Sequence, residues 1–234
     1  MVAKQRAKNV GQRIARPHPK PKPAPRVPPF APAAYTFSLD SIEIMDTRSR
    51  HEDSNKASVS VAVGSGKAKT VTKNLGNQNN GHFPVNMSVA GVRVDDPNIG
   101  IAFHYLVLNS GHKSWEETNA ILTKATGLLA TQGAKYATSA IGTSLGLAVG
   151  TTIMPVIGSA LGAAAGWVAS NAAQLLTADC DGPVAEEQVV LKGIEVWTRT
   201  AHGPYKHVTH HPGLHSAKGC GKNSRYNTYW TISR

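Results

Sequence analysis

Five histidines lie close together near the C-terminal end of the sequence, in the stretch AHGPYKHVTHHPGLH. His207 and His211 are four residues apart, a spacing that would align two metal ligands on one face of a helix. Glycines and prolines interrupt the stretch, and it contains neither a glutamate to act as a base nor an HExxH motif. We therefore predict no metal site but a solvated loop that gains positive charge near pH 6. The pH-sensing histidines of this prediction are His207, His210, His211 and His215.

Charged side chains are also concentrated in DTRSRHEDSN, residues 46–55. Its acids could hold a cation or pair with Arg48 and Arg50, but charged loops between strands are common and we expect an ordinary one. Asp179 and Asp181 in ADCDGP are too few to form a calcium loop. No phosphate-binding loop, dinucleotide fingerprint or GxSxG elbow is present. The sequence thus predicts a non-enzymatic protein, with no catalytic residue and no cofactor.

The two cysteines, Cys180 and Cys220, are 40 positions apart and lie in turn-like settings rich in glycine and aspartate. A disulfide between them would stabilise the fold by about 3–4 kcal/mol in the chain-entropy model, and two reduced thiols are the alternative. The first residues, MVAKQRAKNVGQRIARP, lack the apolar core of a secretory signal. We expect a protein that is secreted or delivered without a classical signal peptide.

Alternating apolar and polar residues predict β-strands from Tyr35 onward. The segments are short, rich in Val, Ile, Thr and aromatics, and separated by turn residues. Val59, Val61 and Val63 are expected to face inward together, and the continuously apolar residues 101–108 to form a central strand. EEQVVLKGIEVWTRT continues the strand pattern, and RYNTYWTISR should complete the sheet begun by the first strands. The predicted fold is a mainly β domain, residues 35–234, an antiparallel sandwich or jelly-roll-like structure.

A helical insertion at about residues 114–178 interrupts this β domain in our prediction. Ser114 is the expected N-cap of a helix that starts at about Trp115. The 43 residues from Tyr136 to Ala178 carry no charge, and Pro155 marks the expected turn between two helices. The sequence thus predicts a glycine-rich helical hairpin.

Two glycine ladders run through this uncharged tract at intervals of four residues. On a helix, residues four apart lie above one another, so each ladder forms a flat groove against which another helix can pack. Each glycine inside a helix costs about 0.5–1 kcal/mol relative to alanine, which close packing must offset. The ladders are Gly142, Gly146 and Gly150, followed by Gly158, Gly162 and Gly166.

Residues 1–34 are predicted to form a disordered, basic, proline-rich arm. They contain eight of the fourteen prolines and no acidic residue, whereas the whole chain has a formal net charge of +11. Such an arm is an electrostatic address for anionic surfaces or nucleic acid, without base-specific information. Its cationic residues are Lys4, Arg6, Lys8, Arg13, Arg16, Lys20, Lys22 and Arg26.

Together these patterns lead to a functional hypothesis of a membrane-active protein, pore-forming or toxin-like. In this hypothesis residues 134–178 insert or oligomerise, the partner is an anionic membrane or a protein, and the chain forms homo-oligomers associated with the membrane in its active state. One alternative is a capsid-like or coat-like assembly protein whose arm binds nucleic acid nonspecifically. The other is a β-sandwich binding module whose hairpin is part of the core.

Overall fold

A computed structural model describes residues 29–139, 180–212 and 224–234. The described part of the chain contains eight strands and two helices. The strands are β1 (Ala33–Asp46), β2 (Asp53–Val63), β3 (Lys69–Gln78), β4 (Gly81–Val94), β5 (Gly100–Asn109), β6 (Gly182–Lys192), β7 (Tyr205–His211) and β8 (Arg225–Ser233). The helices are α1 (Trp115–Ser139) and α2 (Gly193–Arg199).

The strands form two antiparallel four-stranded sheets that pack face to face, which confirms the predicted β-sandwich. Sheet A has the order β4-β1-β8-β7 and sheet B the order β3-β2-β5-β6. Strands β3 and β4 lie at one edge of the sandwich, and β6 and β7 at the other. As the alternation of RYNTYWTISR predicted, β8 pairs with β1, so the end of the chain completes the sheet that the first strand begins.

Alternation along each strand sends one set of side chains into the space between the sheets. Val59 and Val61 are buried there and Val63 packs at its border, so all three face inward as predicted. Phe103 lies at the centre, with ring centroids 5.8 Å from Phe37 and 5.6 Å from Trp230. The two segments YTFSL and SIEIM form one strand, β1, because a bulge between Leu39 and Ser41 lets the chain continue its pairing instead of turning.

Strand β5 is buried along its whole length, as predicted for a central strand. One face of β5 joins the sandwich core, and the other contributes Ala102, Leu106 and Leu108 to contacts with α1. Sheet B is therefore covered on both faces, whereas no helix of the described chain covers the outer face of sheet A.

Helix α1 begins where the sequence predicted it would. Ser114 Oγ accepts a hydrogen bond from the backbone N–H of Glu117 at 3.2 Å, and the Glu117 carboxylate accepts one from the Ser114 backbone N–H at 3.3 Å. These reciprocal contacts form a capping box. Leu122 and Leu129 are the large apolar residues of the buried face, and most of its other positions hold alanine, threonine or glycine.

Two parts of the sequence prediction are wrong in detail. The strand expected through GIEVWTR ends at Lys192, because the Lys192 backbone N–H donates to Glu195 Oε2 at 2.6 Å and starts helix α2. The histidine-rich loop is partly a strand, since residues 205–211 pair with β8 along their full length. Glycine and proline border this strand at positions 203, 204 and 212 but do not interrupt it.

The helical insertion lies between two neighbouring strands. Asn109 at the end of β5 pairs with Gly182 at the start of β6, so residues 110–181 leave and return at one paired position. Of the predicted hairpin, only the first residues, as far as Ser139, belong to the described chain. The glycine ladders fall outside it, and the hairpin remains a prediction.

Glycine brings α1 unusually near sheet B. A Cβ added at Gly133 would meet the Ala102 Cβ at 2.9 Å and the Gln188 Nε2 at 2.6 Å, whereas one added at Gly127 would make only ordinary contacts, the nearest at 3.5 Å. Both glycines lie inside α1, so replacing each of them by alanine gives a matched pair of variants.

We predict that Gly133→Ala lowers the free energy of unfolding by about 1–3 kcal/mol, because overpacking against a strand outweighs the gain in helix propensity. Gly127→Ala should raise it by about 0.5–1 kcal/mol. Urea denaturation of both variants measures the difference. Equal effects of the two substitutions would show that α1 does not pack closely on sheet B.

Candidate functional site

Most of the residues that the sequence singled out lie outside the described chain. These are the six ladder glycines, the eight cations of the arm, His215 and Cys220. Cys180, His207, His210 and His211 are described. The site that the structure does describe is the interface between α1 and sheet B, which ends where the uncharged tract begins.

The face of sheet B beneath α1 is only partly apolar. Alternation places Lys56, Ser58 and Ser60 of β2 on this face, and His104 of β5 lies opposite Ser60. All four are buried, with His104 only 1% exposed. Ordinary helix-on-sheet packing would use larger aliphatic residues at such positions. The α1-covered face is therefore polar enough to tolerate water.

Hydrogen bonds connect α1 to this face at three points along the helix. Near its start, the Lys56 ammonium donates to Lys113 O at 2.7 Å and to Thr118 Oγ1 at 3.1 Å. Midway, Ser60 Oγ donates to Thr126 Oγ1 at 2.9 Å. Further along, Gln188 Nε2 donates to Leu129 O at 2.7 Å. Each of the neutral bonds contributes about 0.5–1.5 kcal/mol net and the bonds of the Lys56 ammonium about 1.5–3 kcal/mol, since water can replace them when the helix departs.

Lys56 is an unfavourable cation beneath the first turn of α1. Burial lowers its pKa, and the negative charges of Asp181, Glu116 and Glu117 offset part of that effect. A positive charge at a helix N-terminus also opposes the helix dipole. While α1 is docked, the Lys56 ammonium therefore stays buried, although water would solvate its charge better.

Several buried polar atoms in this interface have no hydrogen-bond partner. They are Ser58 Oγ, His104 Nδ1 and Gln132 Oε1. Burying a polar atom without a partner costs about 1–3 kcal/mol, and release of α1 would return these atoms to water. The interface is thus closely packed at Gly133 but polar and incompletely bonded elsewhere.

The predicted pH-sensing histidines divide between the two faces of β7. His207 and His211 turn towards the sandwich, where His207 lies 5.0 Å from the Trp230 ring centroid and 6.2 Å from that of Tyr205. His210 turns outward, and its Nδ1 lies 2.6 Å from Asn227 Oδ1. The structure therefore places His207 against aromatic rings, brings His211 to a polar cluster, and leaves His210 on the outer face of sheet A.

The cluster near His211 is centred on the carboxyl group of Glu187, which is 6% exposed. Its Oε2 accepts hydrogen bonds from Tyr105 Oη at 2.7 Å, Thr209 Oγ1 at 2.6 Å and Trp230 Nε1 at 2.9 Å. Glu187 lies in sheet B, whereas Thr209 and Trp230 lie in sheet A. The cluster therefore ties the two sheets together at the β6–β7 edge.

His211 borders this cluster and is affected by it. Its Nε2 lies 3.2 Å from Tyr105 Oη and 2.9 Å from Thr228 Oγ1. Burial lowers the pKa of His211; the charges of Glu187 and Glu186 on β6 oppose this shift, and His210 reinforces it. Burial and the Glu187 charge raise the pKa of Tyr105 well above its usual value, so Tyr105 remains a donor.

On the other face of β6, Glu186 contacts the histidine beneath α1. His104 Nε2 lies 3.2 Å from Glu186 Oε1. Burial would raise the pKa of Glu186, but the hydrogen bond and charge of His104, with the charge of His211, bring it below the usual value. Adjacent glutamates in one strand must point to opposite faces. The EE pair in the sequence thus carried a signal of a buried carboxylate that our prediction missed.

The charged loop 46–55 is a structural turn in the described chain. Asp53 accepts hydrogen bonds from the backbone N–H groups of Arg48 and Ser49 at 2.8 and 2.7 Å, and from Tyr226 Oη at 2.6 Å. Asp46 pairs with Arg225 at 2.6 Å and not with Arg48 or Arg50.

The chain returns from the uncharged tract at this same end of the sandwich. The carbonyl of Cys180 accepts from Arg48 Nε at 2.8 Å and from Asn109 Nδ2 at 3.0 Å. Cys220 lies outside the described residues. A disulfide between Cys180 and Cys220 therefore stays a prediction, with two reduced thiols as its alternative.

Within 29–139, 180–212 and 224–234, no three His, Cys, Asp or Glu side chains converge as a metal site would require. No helix in the same ranges has the length and hydropathy needed to cross a membrane.

Comparison with known proteins gives no relative from which a function could be transferred. No protein-family model matches the chain, and no curated protein matches it significantly.

We predict that His211 makes the fold less stable in acid. Because its folded pKa is lowered, the unfolded state binds the proton more tightly. Stability is fully present above the unfolded pKa of about 6.5 and decreases as pH falls towards the folded value, by about 1.4 kcal/mol per unit of separation. His211→Gln should reduce the difference in Tm between pH 7.5 and pH 5, whereas replacing the exposed His202 should leave it unchanged. An unaltered difference in His211→Gln would contradict this assignment.

Proposed function

We propose that this chain is a non-enzymatic, membrane-active protein in which the β-sandwich carries an uncharged, glycine-rich tract to a membrane. Residues 134–178, which include this tract, insert or oligomerise in the bilayer after the end of α1 leaves sheet B. One observation carries the proposal: residues 110–181 are inserted between Asn109 and Gly182, which pair with each other. Rearrangement of the insertion therefore requires no change in the pairing of any strand.

The chemistry of the α1 interface supports release. The exposed sheet would present Lys56, Ser58, Ser60 and His104 to water beside alanines and leucines, so part of the uncovered surface would be polar. Unpaired polar atoms would regain water as partners. A purely aliphatic interface would hold α1 permanently. The polar interface between α1 and sheet B suits an equilibrium between a docked state and an inserted state.

Acid is the trigger that His211 favours. Burial lowers the pKa of His211, so its protonation in acid would destabilise the β6–β7 edge, although the charges of Glu187 and Glu186 oppose this effect. This change favours an open state at low pH.

We predict that filling the glycine grooves abolishes activity on membranes. In the helices that the sequence predicts, Gly146→Leu and Gly162→Leu block close helix packing, whereas Ala148→Leu and Ala164→Leu add the same bulk on the opposite faces. Release of a dye from vesicles containing phosphatidylserine, at pH 5 and pH 7, is the measurement. The glycine variants should lose about tenfold in leakage rate, and the alanine variants should stay near wild type.

The proposal does not survive if the wild-type protein releases no dye at either pH. Equal loss in the glycine and alanine variants would also count against it, since bulk alone would then explain the effect. Circular dichroism and Tm of each variant verify that the sandwich remains folded.

A covalent clamp tests whether α1 must leave sheet B. A Cβ added at Gly127 would lie 3.9 Å from the Ala68 Cβ, close to the average Cβ separation of about 3.8 Å in disulfides. We predict that the oxidised Ala68→Cys/Gly127→Cys variant leaks dye about tenfold more slowly than its reduced form, if the bond shifts the docking equilibrium by about 1.4 kcal/mol or more.

Each single-cysteine variant and the wild type, under the same oxidising and reducing conditions, control for Cys180 and Cys220. Identical leakage by the clamped and reduced proteins would show that insertion needs no movement of α1.

A second candidate function is favoured by one observation. Ala134 and Ala137, at the start of the predicted inserting segment, are buried against sheet B. This burial suits a β-sandwich binding module in which the tract is permanent core. Amide hydrogen exchange that is equally slow across residues 140–178 with and without vesicles, at both pH values, would favour this module over the membrane-active protein.

A further inference from the structure

Several parts of the chain come together at one end of the sandwich, which we name the α2 end. The start of the described chain reaches it through Phe30, whose ring lies 5.8 Å from that of Trp197 in α2. Arg234 stacks over the same Trp197 at 3.7 Å from the ring centroid. Helix α1 also ends here, because the Gly100 backbone N–H donates to Thr138 Oγ1 at 2.9 Å.

Neighbouring loops complete the α2 end. The backbone N–H of Gly64 donates to Gly100 O at 2.7 Å, and that of Gly193 donates to Ile99 O at 2.9 Å. Residues 64–69, 93–100, 192–199 and 234, with the last turn of α1, therefore form one surface. The basic arm and the uncharged tract both leave the described chain from this surface, at residues 29 and 139.

The α2 end is strongly basic. Seven basic and three acidic side chains belong to it, a net charge of +4 before the arm is counted. The basic residues are Lys67, Lys69, Arg93, Lys135, Lys192, Arg199 and Arg234, and the acidic residues are Asp95, Asp96 and Glu195. The arm carries eight further positive charges in sequence, all of them before residue 29.

The described residues at the opposite end of the sandwich lack this excess. They include five basic and six acidic side chains, a net charge of −1. They are Arg48, Arg50, Lys56, Lys113 and Arg225, with Asp46, Glu52, Asp53, Glu116, Glu117 and Asp181. The described molecule is therefore electrically polar along its length, with the positive end where the arm and the tract emerge.

From this arrangement we infer that the α2 end is a docking surface for an anionic lipid bilayer, which meets the sandwich end-on. This inference rests on the proposed function and adds an orientation and a lipid charge to it. Positive charge alone would also suit nucleic acid. The uncharged tract beginning beside the same surface favours lipid, because a bilayer can accept both the charges and an apolar segment, whereas a phosphate backbone offers no place for the segment.

Charge removal at the two ends provides a matched test in the full chain. Lys67→Gln, Lys69→Gln and Lys135→Gln together remove three exposed charges from the α2 end. Arg50→Gln, Lys113→Gln and Arg225→Gln remove three from the opposite end. Binding is measured by co-sedimentation with vesicles of phosphatidylcholine with phosphatidylserine, and with phosphatidylcholine alone. Each charge near an anionic surface contributes about fivefold in affinity, so the first variant should bind about 100-fold more weakly and the second nearly as wild type.

Amide hydrogen exchange of the wild-type protein on the same vesicles reports the orientation directly. Residues 64–68 and 94–98 should become protected, and residues 49–52 should not. Equal binding by the two variants, or protection at 49–52 instead, would overturn the inference. So would binding to duplex RNA that exceeds binding to the anionic vesicles.

The outcomes separate this inference from the proposed function. Charge-dependent docking of the α2 end without dye release would preserve the docking surface and refute insertion. Dye release that both variants perform equally would preserve insertion and refute the docking surface.

Discussion

The structure depends on the burial of both faces of β5. Pairing with β2 and β6 places β5 inside sheet B. Its inward residues, with Phe103 at the centre, pack between the two sheets. Its other face is also buried, so another element must shield that face from solvent. Helix α1 supplies that cover directly after β5 in sequence. A strand buried on both faces thus imposes the position of the helix, and the helix sets where the uncharged tract begins.

The two faces of β5 are stabilised differently. Between the sheets, aromatic and branched aliphatic side chains interlock around Phe103, and loss of any one leaves a cavity. Beneath α1, small residues and hydroxyl groups predominate, and several polar atoms lack partners. The α1 interface therefore buries fewer large apolar side chains than the core between the sheets.

Sequence pattern predicted the sandwich because alternation is strong where one face is buried, as in Val59, Val61 and the residues of β8. It also placed the start of α1, because a capping box is local. It missed α2, since a seven-residue helix within a β-rich stretch depends on contacts with the loop at Asp96 and Ile99. It took β7 for a loop because the bordering Pro and Gly suggested irregular backbone, whereas pairing with β8 fixed seven residues as a strand. The Glu187 cluster and the polar face beneath α1 needed knowledge of which strands are neighbours.

The distribution of charge follows from topology and not from composition alone. The end of α1, the start of the described chain and the end of β8 all lie at the α2 end, so Lys135, Phe30 and Arg234 belong to one surface although they are far apart in sequence. Cys180 returns the chain to the other end, where Arg48 and Asn109 hold its carbonyl. Residues 140–179 must therefore connect a positive end to a weakly negative one. An anionic surface would attract the end from which the tract starts and leave the anchored end at Cys180 facing away, which orients the molecule before any apolar contact forms.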